Sequence, residues 1–359
     1  MDFLRKIFNK NKKPFMGFWA QLKKPIVVLA PMADVTDAPF REVIAKYGKP
    51  DVLWTEFVSC DGLFRGGYDR LIHDLKFDKS EHPIVAQLFT SDPKYMEKGA
   101  RLALELGYDG VDINMGCPDR SIERQGCGCA MIKNPKNARA VIRAAMKGAQ
   151  HKGKRIPVTV KTRLGYNIDQ LEEWLPELLA ENPAVVTIHA RTRKEMSKVP
   201  AKWDRIKRAV EIRDELGSET LIFGNGDILT PEQAFEVAKE TGADGVMIGR
   251  GIFGKPWLFA DLEKRKEAFL NRESFDVVEL PLEKRLRIAI EHTRLFEKYL
   301  SFKNFAIMKK HFKAYIADFP KASELRNRVF QATDGDEIEE VLDHFLKTEE
   351  ILPERGLDK

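Results

Sequence analysis

A cysteine at the carboxyl end of a short apolar strand is the first residue of this sequence that could do chemistry. Val111 and Ile113 alternate with Asp112 and Asn114 like a buried strand, and a glycine and a proline then flank Cys117. A free cysteine is most often a small buried hydrophobe. A thiol on a loop between Gly and Pro does not face a core, so we favour a catalytic role over a structural one.

Polar side chains end four other apolar runs. They are Gln87, Lys161, His189 and Asn225. An inward charge at such a place is costly unless it is paired, and a single histidine is more often a satisfied core residue than a ligand. Four such residues at four strand ends together offer donors to a polar planar ring system.

Two glycine-rich turns follow the last two apolar runs. They read Gly-Asn-Gly-Asp at 224–227 and Gly-Arg-Gly at 249–251. Tight turns that need positive φ would explain the glycines without a ligand. Bare backbone N–H groups beside one guanidinium also suit an anion, and the loops after strands seven and eight of a barrel often hold phosphate. We favour the phosphate site.

These residues belong to a regular alternation of short strands and helices, which is typical of a parallel α/β fold. Eight βα units over about 235 residues predict a (β/α)₈ TIM barrel. The predicted strands are 26–29, 52–56, 84–88, 110–114, 158–161, 185–189, 221–224 and 245–248. The predicted helices are 38–47, 92–106, 135–150, 169–180, 203–216, 231–241 and a closing helix at 253–270, while 61–79 and 115–134 read mainly as loop.

The sequence after the barrel has no strand signal. Its apolar residues recur at helical spacing in four segments, which predicts an all-helical C-terminal domain. We therefore expect four segments: a basic N-terminal extension at 1–24, a barrel at 25–270, a linker at 271–281 and a helical domain at 282–350.

Composition is that of an ordinary globular enzyme. The 359 residues are 32% charged and 43% hydrophobic, and no apolar run approaches the roughly 20 residues of a membrane span. The four cysteines lack disulfide or zinc spacing, which predicts no metal site and a reducing, cytoplasmic location. We expect a monomer without stable membrane association.

Positive charge is concentrated at two places. The net charge of +5 includes +6 within residues 1–24 and +5 within residues 302–328. Charge runs are usually solvated surface, but two basic ends also suit a polyanionic partner. Composition alone favours neither solvated surface nor a polyanionic partner.

The ordered motifs of this chain resemble those of the tRNA-dihydrouridine synthases, FMN-dependent barrels with a C-terminal helical domain. The resemblance spans about 25–347. It rests on seven motifs: Ala-Pro-Met at 30–32, Thr-Asp-Ala-Pro-Phe-Arg at 36–41, Asp-Ile-Asn-Met-Gly-Cys-Pro at 112–118, Val-Lys-Thr-Arg-Leu-Gly at 160–165, Ile-His-Ala-Arg at 188–191, Gly-Asn-Gly-Asp at 224–227 and Ile-Gly-Arg-Gly at 248–251.

The resemblance implies that FMN lies at the barrel mouth and that NADPH or NADH reduces it again. Lys161 would stabilise the anionic reduced flavin. Cys117 would give a proton to C5 of a tRNA uridine, opposite a hydride delivered to C6, because a thiol is mainly protonated at neutral pH. The implied FMN-binding residues are Pro31, Met32, Ala33, Gln87, Lys161, His189, Asn225, Gly226, Asp227, Gly249 and Arg250.

A tRNA partner would also explain the basic helix around Lys309, Lys310, His311 and Lys313, which we expect to contact the RNA backbone. The expected substrate-binding residues are Asn114, Arg163, Arg191, Lys309, Lys310 and Lys313. An FMN-dependent small-molecule ene-reductase or a dihydroorotate dehydrogenase-like enzyme remains an alternative, although neither needs a basic helical tail.

Two features depart from the family pattern. Cys127 and Cys129 replace other small residues and could be sensitive to oxidation. The N-terminal extension could be a membrane-surface helix, an RNA-binding arm or a partly disordered segment.

Overall fold

A closed barrel of parallel strands forms the body of the protein. The computed structural model describes residues 13–276 and 279–348. The strands are β1 Ile26–Leu29, β2 Leu53–Ser59, β3 Ile84–Phe89, β4 Gly110–Asn114, β5 Gln150–His151, β6 Lys154–Arg155, β7 Val158–Arg163, β8 Val185–His189, β9 Leu221–Asn225 and β10 Gly245–Ile248. Eight of them pair in the order β1-β10-β9-β8-β7-β4-β3-β2, while β5 and β6 form a separate antiparallel hairpin.

A parallel bridge joins the first and last strands of that order. Val28 pairs with Val52, and the N–H of Asp51 donates to the carbonyl of Val27 at 2.9 Å. The sheet therefore closes on itself, and the predicted (β/α)₈ barrel with a C-terminal helical domain is confirmed. The domain boundaries stay a prediction, and residues 1–12 and 349–350 of the predicted end segments lie outside the described residues.

Helices alternate with the strands. They are α1 Ala38–Tyr47, α2 Cys60–Phe64, α3 Tyr68–Leu71, α4 Pro93–Leu106, α5 Arg120–Arg124, α6 Pro135–Gly148, α7 Leu171–Leu179, α8 Trp203–Glu215, α9 Pro231–Thr241, α10 Leu262–Asn271, α11 Leu282–Leu300, α12 Lys309–Tyr315, α13 Ala322–Val329 and α14 Gly335–Thr348. Short 3₁₀ segments lie at Gly17–Gln21, Ile72–Leu75, Lys79–Glu81, Gly128–Lys133, Arg250–Ile252 and Phe305–Met308. None of the helices at 13–276 and 279–348 is long and apolar enough to cross a bilayer.

Several helices begin where the sequence places a polar cap before a proline. In α4, α6 and α9 a proline occupies the first turn, where its missing N–H costs nothing. The preceding side chain accepts a hydrogen bond from the N–H two or three residues later, as Asp92 does from Lys94. These caps fix where each strand-to-helix connection turns.

Three predicted segments differ from the structure. The closing helix begins only at Leu262, because φ is positive at Gly254 (+71°) and at Asp261 (+53°), which a right-handed helix does not accommodate. The intervals 61–79 and 115–134 contain short helices. The hairpin β5–β6 was missed, since strands of two residues leave no periodic pattern.

Residues 13–24, assigned above to the N-terminal extension, reach the amino-terminal end of the barrel. There Trp19 is 2% exposed and packs against Trp54 and Phe223, with ring centroids 5.8 Å and 5.6 Å apart. Large aromatic side chains thus fill that end of the barrel. The other end is left for the site.

The helical domain packs on α1. Phe40 stacks on His292 at 4.9 Å and meets His311 at 4.8 Å, while Tyr47 donates to Glu291 at 2.6 Å. His311 is fully buried, so its predicted RNA contact is wrong. Helical periodicity marks the apolar face of α12, but it could not show that this face also includes the histidine.

Candidate active site

One cavity of about 310 Å³ lies at the carboxyl ends of the barrel strands. It brings together fourteen of the residues predicted above: Pro31, Met32, Gln87, Asn114, Cys117, Lys161, Arg163, His189, Arg191, Asn225, Gly226, Asp227, Gly249 and Arg250. Ala33 is exposed outside this lining, and the three predicted lysines of α12 also lie outside it. Sequence reasoning missed the lining residues Phe57, Ser197, Ile228 and Leu229, which carry no chemical signal of their own.

Asn114 positions the loop that carries the thiol. Its Oδ1 accepts hydrogen bonds from the N–H of Gly116 at 3.1 Å and of Cys117 at 2.9 Å. Its Nδ2 donates to Oε1 of Gln87 at 3.1 Å. The last residue of β4 therefore fixes the turn at the strand end and couples it to β3.

The carbonyl of Gly116 receives two further donors. Nε of Arg163 lies 2.8 Å from its oxygen and Sγ of Cys129 lies 2.9 Å from it. The N–H of Cys129 donates to the carbonyl of Cys117 at 3.0 Å. Arg163 and Cys129 thus hold the backbone on both sides of the thiol, a role that motif reading did not assign to either residue.

Burial raises the pKa of the Cys117 thiol above its ordinary value, and the charges of Arg163 and Lys161 offset only part of that effect. A thiol with a raised pKa stays protonated at neutral pH. Cys117 is therefore suited to give a proton and unsuited to attack as a thiolate.

The surroundings of Lys161 destabilise its positive charge. Burial and the neighbouring charge of Arg163 lower its pKa from 10.5 to about 8. Its Nζ donates to Oδ1 of Asn225 at 3.3 Å, and Nδ2 of Asn225 donates to the carbonyl of Met247 at 2.7 Å. This long hydrogen bond leaves the ammonium with donor capacity toward the cavity.

A buried network orients Gln87 below the cavity. Its Nε2 donates to Asp112 at 2.5 Å, and Thr159 donates to the other carboxylate oxygen at 2.5 Å. Burial raises the pKa of Asp112 to about 6. Since both ends of the Gln87 amide are engaged, its orientation is set before any ligand arrives.

Cations and glycines gather on the opposite side of the cavity. Asp227 accepts hydrogen bonds from Arg191 and, at 2.8 Å, from Arg250. Burial opposes ionisation of Asp227, but these bonds outweigh it and its pKa lies below the ordinary value. Asp227 thus holds two guanidinium groups beside Gly226, whose φ is +136°.

His189 is neutral in this cationic surrounding. Burial and the charges of Arg163, Lys161 and Arg191 lower its pKa to about 2. Its Nε2 lies 3.1 Å from Nη1 of Arg191, which can only donate, so we assign the ring proton to Nδ1. His189 therefore presents a neutral N–H donor.

The basic residues of α12 differ in exposure. Lys309 and Lys310 are half-buried and Lys313 is exposed. Burial lowers the pKa of Lys310, although Asp34 and Asp37 face it and partly offset this. Of the three, only Lys313 is exposed on the helical domain.

Comparison with known proteins identifies the family of this chain. The sequence profile of the dihydrouridine synthase (Dus) family matches residues 28–350. A probable tRNA-dihydrouridine synthase 2 of Bacillus subtilis (strain 168) is 38% identical over 331 residues, covering 92% of this chain and 96% of the relative. A probable tRNA-dihydrouridine synthase of Staphylococcus aureus (strain N315) is 36% identical over 333 residues, covering 92% and 95%.

Among solved structures, a complex of 2-naphthoyl-CoA reductase with 2-naphthoyl-CoA superposes with a TM-score of 0.51 at 11% identity. The match covers 70% of this chain but only about half, 52%, of the reductase, and it shows a shared fold alone. The family profile and the two relatives span nearly the whole chain. This protein therefore belongs to the dihydrouridine synthase family.

Proposed function

We propose that this protein reduces the C5–C6 double bond of particular uridines in tRNA to 5,6-dihydrouridine, using FMN that NADPH or NADH reduces again. Family membership supports the uridine substrate and the tRNA partner. The observation that supports the chemistry most is the position of the Cys117 thiol, which shares one cavity with Lys161 and a cationic glycine-rich turn. Burial raises the pKa of this thiol, which favours its protonated form.

The glycines and the guanidinium group at one side of the cavity support a phosphate-bearing flavin such as FMN. Gly249 leaves open space, since a Cβ there would meet only Cβ of Ala30 at 3.7 Å and Sδ of Met32 at 3.8 Å. Arg250 is exposed beside it and is oriented by Asp227. A phosphate fits bare backbone N–H groups next to a held guanidinium.

The cavity residues fall into two groups, according to the part of FMN that each would bind. Lys161 and Gln87 would bond the edge of the isoalloxazine ring, with Pro31 and Met32 near it, whereas Ala33 lies outside the lining. The ribityl chain and phosphate would be held by His189, Asn225, Gly226, Asp227, Gly249 and Arg250. When bound, FMN supplies the hydride for C6 of the uracil.

Cys117 supplies the proton for C5. Its Sγ–H is kept protonated by burial, and Asn114 fixes the backbone that carries it. Asn114, Arg163 and Arg191 line the same space and would orient the uracil. A base stacked in folded RNA must be turned out to reach this depth, and Lys309, Lys310 and Lys313 would hold the RNA backbone meanwhile.

The test uses the full chain and its Cys117→Ala variant. We expect a yellow protein that releases FMN on denaturation and forms dihydrouridine in unmodified tRNA when NADPH or NADH is added. The variant should keep FMN and its reduction by NAD(P)H, yet lose at least 100-fold in uridine reduction, because a general acid contributes about that much or more. A colourless protein, or equal turnover by the variant, would contradict the proposal.

A further inference from the structure

A second cavity, of about 800 Å³, lies between the barrel rim and the helical domain. Its lining consists of Asp34, Glu56, Gly67, Arg70, Leu71, Asp74, Phe302, Lys303, Asn304 and Ile307. We call it the rim cleft. It adjoins the first cavity through β2 and the β1 loop, since Phe57 and Met32 line the first cavity while Glu56 and Asp34 line the rim cleft.

Glu56 contributes an unused acceptor to the rim cleft. The residue is 7% exposed, and its Oε1 accepts the N–H of Asp34 at 2.5 Å. Its Oε2 accepts no hydrogen bond within the described part of the chain. Nζ of Lys303 lies 3.8 Å away, beyond hydrogen-bond reach, and donates instead to Asp74 at 2.8 Å. Burial raises the pKa of Glu56 to about 7, and Asp37 and Asp74 add to this effect, so the side chain is mainly ionised only above that pH. A buried carboxylate oxygen without a donor is costly, and a ligand that supplies donors would relieve that cost.

An aromatic ring and a cation complete the rim cleft. Phe302 is 53% exposed, although a large aromatic side chain normally avoids water. Arg70 is also exposed. The Phe302 ring contacts the His73 ring, with centroids 4.8 Å apart, and its remaining surface is exposed. An exposed aromatic surface can stack on a nucleobase, and an exposed guanidinium can contact phosphate.

We propose that the rim cleft binds an unpaired guanine base of the RNA substrate, close to the nucleotide that is reduced; the inference rests on the proposed function. A carboxylate repels phosphate, so Glu56 must face a base edge. Guanine alone places two donors, N1–H and N2–H, side by side on its Watson–Crick edge. Adenine and cytosine pair one donor with one acceptor there, and uracil has one N–H between two carbonyls.

The guanine would lie against the Phe302 ring with its donors toward Glu56. The Lys303 ammonium sits on a flexible stem and can turn toward the adjoining phosphate as the base enters. Arg70 would contact the same strand. The rim cleft would then select the sequence beside the target uridine, while the first cavity selects the uridine itself.

The experiment measures binding of the full-length protein to fluorescent single-stranded RNA hexamers by anisotropy at about pH 8. The hexamers contain uridines and one central guanosine, inosine, adenosine or cytidine, or uridine throughout. We expect the guanosine hexamer to bind about 10-fold to 100-fold more tightly than the adenosine, cytidine and uridine hexamers, the range of a two-donor base contact. Inosine, which lacks the N2 amine, should bind with intermediate affinity.

Three variants separate the contacts. Glu56→Gln should abolish the guanosine preference. The control Asp69→Asn, which removes an exposed carboxylate of α3 outside the lining, should keep it. Phe302→Ala should weaken binding to every hexamer by a similar factor, because stacking tolerates all bases.

The guanine proposal is overturned if the wild-type protein binds the five hexamers equally. It is also overturned if Glu56→Gln keeps the preference while its FMN content and melting temperature match those of the wild type. Dihydrouridine formation in tRNA is measured in parallel. If the protein forms dihydrouridine but binds all hexamers equally, only the guanine proposal is rejected. If it binds no flavin and forms no dihydrouridine, the proposed function is rejected.

Discussion

Replacing Lys161 by methionine should stabilise the flavin-free protein while impairing its function. The pKa of Lys161 lies at about 8 instead of 10.5, because burial and Arg163 oppose its charge. A tenfold change in an ionisation equilibrium corresponds to about 1.4 kcal/mol, so the charge costs the folded state about 3 kcal/mol at neutral pH. Loss of the hydrogen bond to Asn225 offsets about 1 kcal/mol of this gain in stability. We expect Lys161→Met to raise the free energy of unfolding by about 2 kcal/mol at pH 7.

The stability advantage of Lys161→Met should decrease as the pH rises. Between about pH 8 and 10.5 the unfolded chain keeps the Lys161 proton that the folded protein has released, so wild-type stability rises with pH. The charge then costs only about 1 kcal/mol at pH 9.5. The advantage of Lys161→Met should therefore shrink by about 2 kcal/mol between pH 7 and pH 9.5.

Urea denaturation of flavin-free protein at both pH values measures this difference. Lys207→Met is the matched control, since Lys207 is exposed on α8 and its substitution does not remove a buried charge. The reasoning is refuted if Lys161→Met is no more stable than the wild type at pH 7, or if its advantage is the same at both pH values. In the loaded protein the variant should bind FMN more weakly, which equilibrium dialysis would detect.

Three further predictions concern packing and positioning. Arg41→Met should lower the free energy of unfolding by about 3–5 kcal/mol in urea titrations, because it leaves Glu81 buried without its 2.6 Å partner. Gly148→Ala should lower the melting temperature by several degrees, since its Cβ would lie 2.1 Å from the carbonyl of Glu97. Arg163→Lys should keep FMN but slow dihydrouridine formation about tenfold or more in single-turnover assays, because a lysine cannot reproduce the guanidinium contacts that hold the thiol loop. Unchanged stability in either of the first two, or unchanged turnover in the third, would contradict the respective argument.

Sequence periodicity predicted the barrel because buried parallel strands read as short apolar runs bounded by caps and glycines. The same signal placed Cys117 and Lys161 at strand ends, and strand ends of a barrel share one face. It could not show which side chains point into the cavity. Ala33 follows Met32 directly in the sequence, yet only Met32 lines that cavity, since the β1 loop turns between them.

Residue type alone also could not predict how the helical domain packs on the barrel. His311 lies in a run of lysines and reads as part of a basic face, but Phe40 and His292 enclose it. The unbonded oxygen of Glu56 was likewise not predictable, because its nearest cation, Lys303, is distant in sequence and lies 3.8 Å away in the fold. Contacts between residues distant in sequence decide which side chains are buried, and local sequence patterns do not predict such contacts.

The lining of the first cavity carries an excess of positive charge. Lys161, Arg163, Arg191 and Arg250 line it against the single carboxylate of Asp227. Burial and the neighbouring charge of Arg163 lower the pKa of Lys161, so the empty site is destabilised by groups that would bind FMN. An anion that enters replaces this repulsion with attraction. FMN should therefore raise the melting temperature more at low salt than at high salt, because screening weakens both the repulsion and its relief.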